Sequence, residues 1–111
     1  MLKGKVGEVW YADYPYEEDK SSTKARPAVI VFEVDDDEVV AIKLTTHEAR
    51  ACDQFDVELV EWKHAGLKHK STARVSKFEY LKRSQLLNKK GDLHPDDEDR
   101  IAKSLMRFMQ S

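Results

Sequence analysis

The stretch Arg26-Pro27-Ala28-Val29-Ile30-Val31 decides the fold, because a polar loop ends there and an apolar run begins. This run predicts a buried strand over residues 27–33. Residues 38–45 are also rich in β-branched side chains and predict a second strand. Asp35-Asp36-Asp37 lies between the two and suits a tight turn. The sequence therefore predicts a β-hairpin.

Polar groups gather where these two strands end. Arg26 lies at the start of the first strand, and Thr45 and Thr46 end the second. Guanidinium and hydroxyl groups at one sheet edge suit a phosphoryl group, because guanidinium binds two oxygens in one plane. In an ideal strand Thr45 faces away from Ile42, so Thr45 is expected to face the site if the core lies on the Ile42 side. A solvated strand edge is the alternative interpretation of these residues alone.

Further strands are predicted on both sides of the hairpin. Residues 6–12 are rich in β-branched and aromatic side chains and predict an opening strand that Pro15 ends. Residues 16–25 lack apolar periodicity and predict an exposed loop. Residues 55–59 alternate between apolar and acidic side chains and predict a half-buried strand, and residues 72–81 predict one or two short strands.

Helical signals occur in the second half of the chain. Residues 62–65 predict one helical turn with Gly66 as its left-handed cap, and residues 84–87 predict a short helix. The longest helix is predicted at the C-terminus, where Pro95 suits the first position and four acidic residues follow it. Its apolar stripe, which predicts core or dimer packing, consists of Ile101, Leu105, Phe108 and Met109. Strands closed by one helix predict a mainly β, α+β fold of the small SH3-like barrel type.

Composition limits the classes of protein. The 111 residues predict a single domain, 1–111, and their net charge of −2 excludes a global basic field. Residues 63–90 nevertheless carry nine Lys or Arg against Glu79 alone, which suits either a polyanion or a solvated face. Cys52 is the only cysteine, so no intramolecular disulfide is expected. No apolar stretch approaches the roughly 20 residues that span a bilayer, so a cytoplasmic protein is expected.

Several segments together resemble one protein family. Gly7-Glu8-Val9-Trp10-Tyr11-Ala12-Asp13 resembles the opening strand of the MazF/PemK toxin endoribonucleases, and residues 24–31 are similar to that family's second strand with its Arg-Pro pair. Thr45-Thr46 lies where the family carries a serine or threonine. Residues 62–67 and 71–77 resemble segments of a subgroup. The resemblance covers residues 7–107, nearly the whole chain.

This resemblance implies a metal-independent, sequence-specific endoribonuclease that cleaves single-stranded RNA without a cofactor. It also implies the toxin half of a type II toxin–antitoxin pair, a homodimer and a small antitoxin partner. Arg26 is the catalytic candidate for stabilising charge on the phosphate, which can lower a barrier by about 3–4 kcal/mol. Thr45 is the candidate hydrogen-bond donor to a non-bridging oxygen. The candidate RNA contacts are Tyr16, Lys24, Thr46, Arg50, Lys68, Lys70 and Arg74.

Two questions stay open at the level of sequence. The proton acceptor is either solvent or a loop carboxylate of residues 17–19, and the proton donor to the leaving 5′-oxygen is either Arg26 or His47. The histidines do not suggest a metal site, because His64 and His69 stand among lysines and a structural zinc site would need more than one cysteine. The alternative function is a non-catalytic binding module of the same fold, such as a gyrase-poisoning toxin or a relative that binds RNA without cutting it.

Overall fold

The fold is an antiparallel sheet with one helix packed against it. The computed structural model describes residues 2–111, which form seven strands and one α-helix. The strands are β1 (Glu8–Pro15), β2 (Thr23–Glu33), β3 (Glu38–Thr45), β4 (Val57–Glu58), β5 (Thr72–Ala73), β6 (Glu79–Lys82) and β7 (Leu86–Asp92), and the helix is α1 (Pro95–Gln110). The hydrogen-bonded order is β4-β5-β3-β2-β1-β7, and β6 pairs with β3.

The predicted hairpin is present as β2 and β3. The carboxylate of Asp35 accepts hydrogen bonds from the backbone N–H groups of Asp37 and Glu38, both at 2.8 Å, and so holds the turn. The β2–β3 register pairs Ala28 with Lys43. β3 keeps the predicted bounds, whereas β2 begins at Thr23 and shortens the predicted loop before it.

Two apolar clusters form the core. One joins β1, β2 and β3 to the helix and includes Val29, Ile42 and Ile101, and the other includes Tyr14 and Ile30. Neighbouring side chains of a strand point to opposite faces of a sheet, so Val29 and Ile30 enter different clusters. The sheet is bent around both clusters but its hydrogen-bonded path is open, so the expected SH3-like barrel is only loosely closed.

The C-terminal helix has the predicted start and is anchored by polar bonds. Pro95 is its first residue, and the His94 side chain caps it by accepting a hydrogen bond from the backbone N–H of Asp96. The buried carboxylate of Asp97 accepts hydrogen bonds from the backbone N–H groups of Val60 at 3.0 Å and Glu61 at 2.8 Å. No helix within residues 2–111 is both long and apolar enough to cross a membrane.

The predicted helix over residues 84–87 is wrong. Arg83–Gln85 form a short 3-10 turn, and β7 follows directly. Pairing with a distant strand overrides the local helical signal. β7 pairs along the edge of β1, and this pairing buries Leu86 opposite Ala12. The strand predicted over residues 55–59 is also shorter than expected, since β4 has only two residues and the Asp53 carboxylate holds the backbone N–H of Phe55 in a turn.

Candidate functional site

The arginine and the first threonine of the predicted strand-end site lie on one face of the sheet. Continuing the β2–β3 register by two residues from the Ala28–Lys43 pair places Arg26 opposite Thr45. Residues directly opposite each other have neighbouring side chains on the same face. Both side chains line an open cleft of about 340 Å³. We call it the arginine cleft and define it by Tyr16, Glu17, Glu18, Arg26, Lys43, Thr45, His47, Arg50 and Arg74.

Arg26 is the cation of this cleft that is held most weakly. Its guanidinium carbon lies 6.0 Å from the centroid of the Tyr16 ring, a cation–π contact. Lys43, Arg50 and Arg74 each form an ion pair with a carboxylate, but within residues 2–111 no carboxylate pairs with Arg26. The N–H groups of Arg26 are therefore able to bind an incoming anion without first leaving a carboxylate.

Glu17 reaches into the cleft from the loop between β1 and β2. Its carboxylate lies 3.1 Å from Nζ of Lys43 and 3.9 Å from Nζ of Lys77. The hydrogen bond from Lys43, together with the charges of Lys43, Lys77 and Arg50, lowers the pKa of Glu17. The carboxylate is thus ionised and occupies two lysines that a phosphate would otherwise contact.

Two of the predicted RNA contacts, Arg50 and Arg74, are held by a buried carboxylate. The side chain of Asp56 has no exposed area and pairs with both arginines, with Nε of Arg50 at 3.1 Å. Burial by itself would raise the pKa of Asp56, but hydrogen bonds from Arg50 and the charge of Arg74 lower it below its ordinary value. A second carboxylate, Asp53, lies 2.9 Å from Nη2 of Arg50. These arginines shape the wall of the cleft and leave less charge for an anionic ligand than the sequence suggests.

The other predicted contacts are separated by the sheet. Thr46 and Lys68 line a different cleft of about 310 Å³, together with Tyr11, Pro27 and Lys90. We call this the lysine cleft. Tyr11 pairs with Pro27 in the register and Ala12 pairs with Arg26, so the two clefts belong to opposite faces of the sheet. Lys24 and Lys70, which were also predicted to bind RNA, are exposed and lie outside both clefts.

Sequence reasoning missed two parts of this arrangement. Lys43 is one of the four Lys or Arg of the arginine cleft, and the alternation of β3 could have identified it because it shares a face with Thr45. Tyr11 and Lys90 meet only through the pairing of β1 with β7. That pairing was hidden by the prediction of a helix where β7 begins.

Comparisons with known proteins place the chain in a family. The family described as "PemK-like, MazF-like toxin of type II toxin-antitoxin system" matches residues 5–109. No curated protein sequence matches the chain. The family match confirms the resemblance that the strand motifs indicated.

Solved structures share the fold at low sequence identity. MazF (Form-I) from Deinococcus radiodurans has a TM-score of 0.75 and 14% identity, and the match covers 100% of this chain and 99% of that one. An endoribonuclease from mycobacterial species has a TM-score of 0.73 and 18% identity, over 99% and 95% of the two chains. An endoribonuclease in complex with its cognate antitoxin, also from mycobacterial species, has a TM-score of 0.72 and 21% identity, over 95% and 93%. With the family match over nearly its whole length, the chain belongs to the PemK-like, MazF-like toxins of type II toxin–antitoxin systems.

Proposed function

We propose that this toxin is a metal-independent endoribonuclease that cleaves single-stranded RNA at a specific sequence in its arginine cleft. The observation that carries the proposal is the position of Arg26, which has no carboxylate partner within residues 2–111 and lines the same cleft as Thr45. A planar guanidinium group beside a hydroxyl donor suits a phosphodiester. Two structures of the same fold are named endoribonucleases, which agrees with this assignment.

The reaction proposed is an internal transesterification of RNA. The 2′-oxygen of the substrate forms a bond to the adjacent phosphorus, and the bond from phosphorus to the 5′-oxygen breaks. The 2′-hydroxyl gives its proton to solvent or to the Glu18 carboxylate and the leaving 5′-oxygen gains one, so the products are a 2′,3′-cyclic phosphate and a 5′-hydroxyl. Arg26 stabilises the charge that builds on the phosphate, and Thr45 donates a hydrogen bond to a non-bridging oxygen. Preorganised donors of this kind lower a barrier by about 3–4 kcal/mol each.

Proton transfer is assigned to the rim of the cleft rather than to Arg26. An arginine stays protonated in proteins and is a poor base. Glu17 is a weak base while Lys43 and Lys77 hold its pKa low. Glu18 and His47 line the same cleft, and both are exposed. His47 is the group we assign to protonation of the leaving 5′-oxygen, because an imidazole placed in the cleft can act as a general acid.

The partners proposed are a second copy of the chain and a small antitoxin. The antitoxin assignment is supported by the mycobacterial endoribonuclease that was solved with its cognate antitoxin. An acidic segment of such a partner would meet Arg26 and Lys43 in the arginine cleft and so compete with RNA. Cleavage of cellular RNA places the proposed activity in the cytoplasm.

The test is cleavage of a long RNA by the purified protein in EDTA, followed by mapping of the new ends. We expect specific cuts that persist in EDTA and leave 5′-hydroxyl ends. The same RNA with one 2′-deoxy nucleotide at the mapped position should bind but stay uncut, since it lacks the nucleophile. Cleavage of that strand would mean an external water nucleophile and a different mechanism. Failure to cut any RNA, with tight binding to a gyrase subunit, would make the protein a binding module.

A further inference from the structure

The lysine cleft has the composition of a nucleotide-binding site although it lies outside the proposed reaction centre. Lys68 and Lys90 are exposed cations on its wall, and neither pairs with a carboxylate within residues 2–111. No Asp or Glu of that range lines the cleft. Thr46 and Ser71 add hydroxyl groups. The cleft therefore attracts anions without an internal competitor, in contrast to the arginine cleft with its Glu17.

An aromatic ring lies beneath one of these cations. Nζ of Lys90 lies 5.2 Å from the centroid of the Tyr11 ring, a cation–π contact. Tyr11 is half-buried and is fixed on both sides by strand pairing, to Pro27 in β2 and to Asn88 in β7. Any of the four bases can stack on an aromatic ring, and a neighbouring lysine can bind the phosphate of the same nucleotide.

The backbone keeps the two walls of the cleft together. Gly66 has a φ of +80°, and a Cβ built on it would lie 2.1 Å from the carbonyl oxygen of Lys90. The loop that carries Lys68 is thus in direct backbone contact with β7. A hydrogen bond of 3.0 Å from the N–H of Gly66 to the carbonyl of Lys63 holds the turn. Lys68 and Lys90 are therefore brought together by the fold itself.

The two clefts meet at the end of β3. Thr45 lines the arginine cleft and Thr46, the next residue, lines the lysine cleft. A single-stranded RNA that passes over the end of β3 would contact both clefts in turn. We propose that the lysine cleft is a second subsite for single-stranded RNA, in which Tyr11 stacks a base flanking the cleaved bond and Lys68 and Lys90 bind phosphates. This inference rests on the proposed function for the position of the cleaved bond.

The test compares two double variants with the same loss of charge. Lys68→Ala/Lys90→Ala removes the cations of the lysine cleft, and Lys63→Ala/Lys82→Ala removes two exposed lysines outside both clefts. The probes are 2′-O-methyl oligonucleotides, which lack the free 2′-hydroxyl and stay intact. One is too short to leave a single cleft, and the other is long enough to cross the end of β3. Affinities are measured at several salt concentrations.

We expect the cleft variant to lose affinity for the long probe at least tenfold more than the control variant does. Its log–log salt slope should fall by about 1.4, since each phosphate contact on a single strand contributes about 0.7. Tyr11→Leu keeps an apolar side chain in the sheet. Its affinity for the long probe should fall about 5- to 150-fold, which is the range for one base–aromatic stack. The affinity of the cleft variant for the short probe should fall much less, because the short probe can also bind in the intact arginine cleft.

Each other outcome overturns the inference or separates it from the proposed function. Equal losses in the two double variants would show a diffuse charge effect and no subsite. Unchanged RNA affinity with weakened antitoxin binding would assign the lysine cleft to the protein partner and overturn the inference. If the wild-type protein cuts no RNA, the proposed function fails, but a selective loss in the cleft variant still supports the subsite because intact probes are used.

Discussion

At the scale of single residues, Pro27 marks the point where the pairing of β2 with β3 ends. The β2–β3 pairing begins at Ala28, immediately after the proline, whose nitrogen carries no hydrogen to donate. Arg26 and Thr45 lie beyond the end of this ladder and line the arginine cleft. Pairing with β1 continues through Ala12, so the backbone of Arg26 stays fixed. A rigid backbone with an uncommitted side chain is what transition-state stabilisation requires.

The first prediction concerns this side chain. Arg26→Ala should lower the cleavage rate by about 100- to 1,000-fold, because it removes the guanidinium group from the phosphate site. Stability should change by less than about 1 kcal/mol, because no carboxylate pairs with Arg26 within residues 2–111. Arg26→Lys should recover little activity, since an ammonium group cannot bind two oxygens in one plane. Single-turnover rates and urea unfolding measure these effects.

Arg107→Ala is the control for that experiment, because Arg107 is exposed on α1 and lies outside both clefts. It should leave the cleavage rate within about twofold of wild type. A wild-type rate in the Arg26→Ala protein would remove Arg26 from the mechanism.

At the scale of elements, the segment between β3 and β5 is held by buried acids in addition to the two-residue pairing of β4 with β5. Asp56 joins Arg50 of this segment to Arg74 just after β5. Asp97 joins residues 60 and 61 to the first turn of α1. β4 contributes only two residues to the sheet, so these carboxylates replace the ladder that a longer strand would provide. The wall of the arginine cleft depends on them.

The second prediction tests this ion-pair network. Asp56→Asn should destabilise the protein by about 3–5 kcal/mol, because it leaves Arg50 and Arg74 without their buried partner. The folded-state pKa of Asp56 is lowered, so its contribution is present above the unfolded pKa of about 3.9 and is lost as the pH falls through the folded value. Wild type should therefore lose more stability on acidification than the Asn variant does. Urea unfolding between neutral and acid pH measures both effects.

Asp36→Asn is the matched control, because this carboxylate lies exposed in the β2–β3 turn and forms no ion pair within residues 2–111. It should change stability by less than about 0.5 kcal/mol. Equal effects of the two substitutions would mean that the Asp56 pairs do not support the fold.

Elements with local signals were predictable from the sequence, whereas those that depend on distant partners were not. β3 and the start of α1 were located correctly because alternation, turn residues and Pro95 are local signals. The local pattern at residues 84–87 predicts a helix, but this region forms a strand because it pairs with the edge of β1, which is far away in the chain. The same limit applies to the site. Arg26 and Thr45 lie at neighbouring ends of the two predicted strands and could be paired, but the buried partner of Arg74 could not be foreseen.

At the scale of the whole molecule, the basic third of the chain is less basic than its composition suggests. Of its nine Lys and Arg, four form ion pairs with carboxylates of residues 2–111. These four are Arg74, Lys77, Arg83 and Lys89. Lys68 and Lys90, by contrast, share the lysine cleft. The positive charge available to an anionic ligand is thus set by the folded surface and not by the number of Lys and Arg in the sequence.

Several exposed apolar side chains lie together in one concavity of the surface. Phe32, Tyr80 and Met109 are 58%, 60% and 71% exposed, and all three line one concavity with Phe78 and Leu105. Contiguous exposed apolar patches commonly mark interaction surfaces. A second copy of the chain is the occupant that the family resemblance implies, with the RNA groove across the two subunits. Because β2 and β6 carry Phe32 and Tyr80, we expect these strands to lie at the dimer interface.

The last prediction tests this assembly. Sedimentation at micromolar concentration should report twice the chain mass for wild type, and Phe32→Asp should report a single chain because a buried, unpaired carboxylate is costly. Leu87→Asp, at a 48% exposed apolar position on β7, should stay dimeric as the control. The Phe32→Asp monomer should also lose RNA cleavage, although Arg26 and Phe32 are six residues apart on β2, about 20 Å along the strand. A wild-type monomer that cleaves RNA would contradict the shared groove, and a dimer that survives Phe32→Asp would place the interface elsewhere.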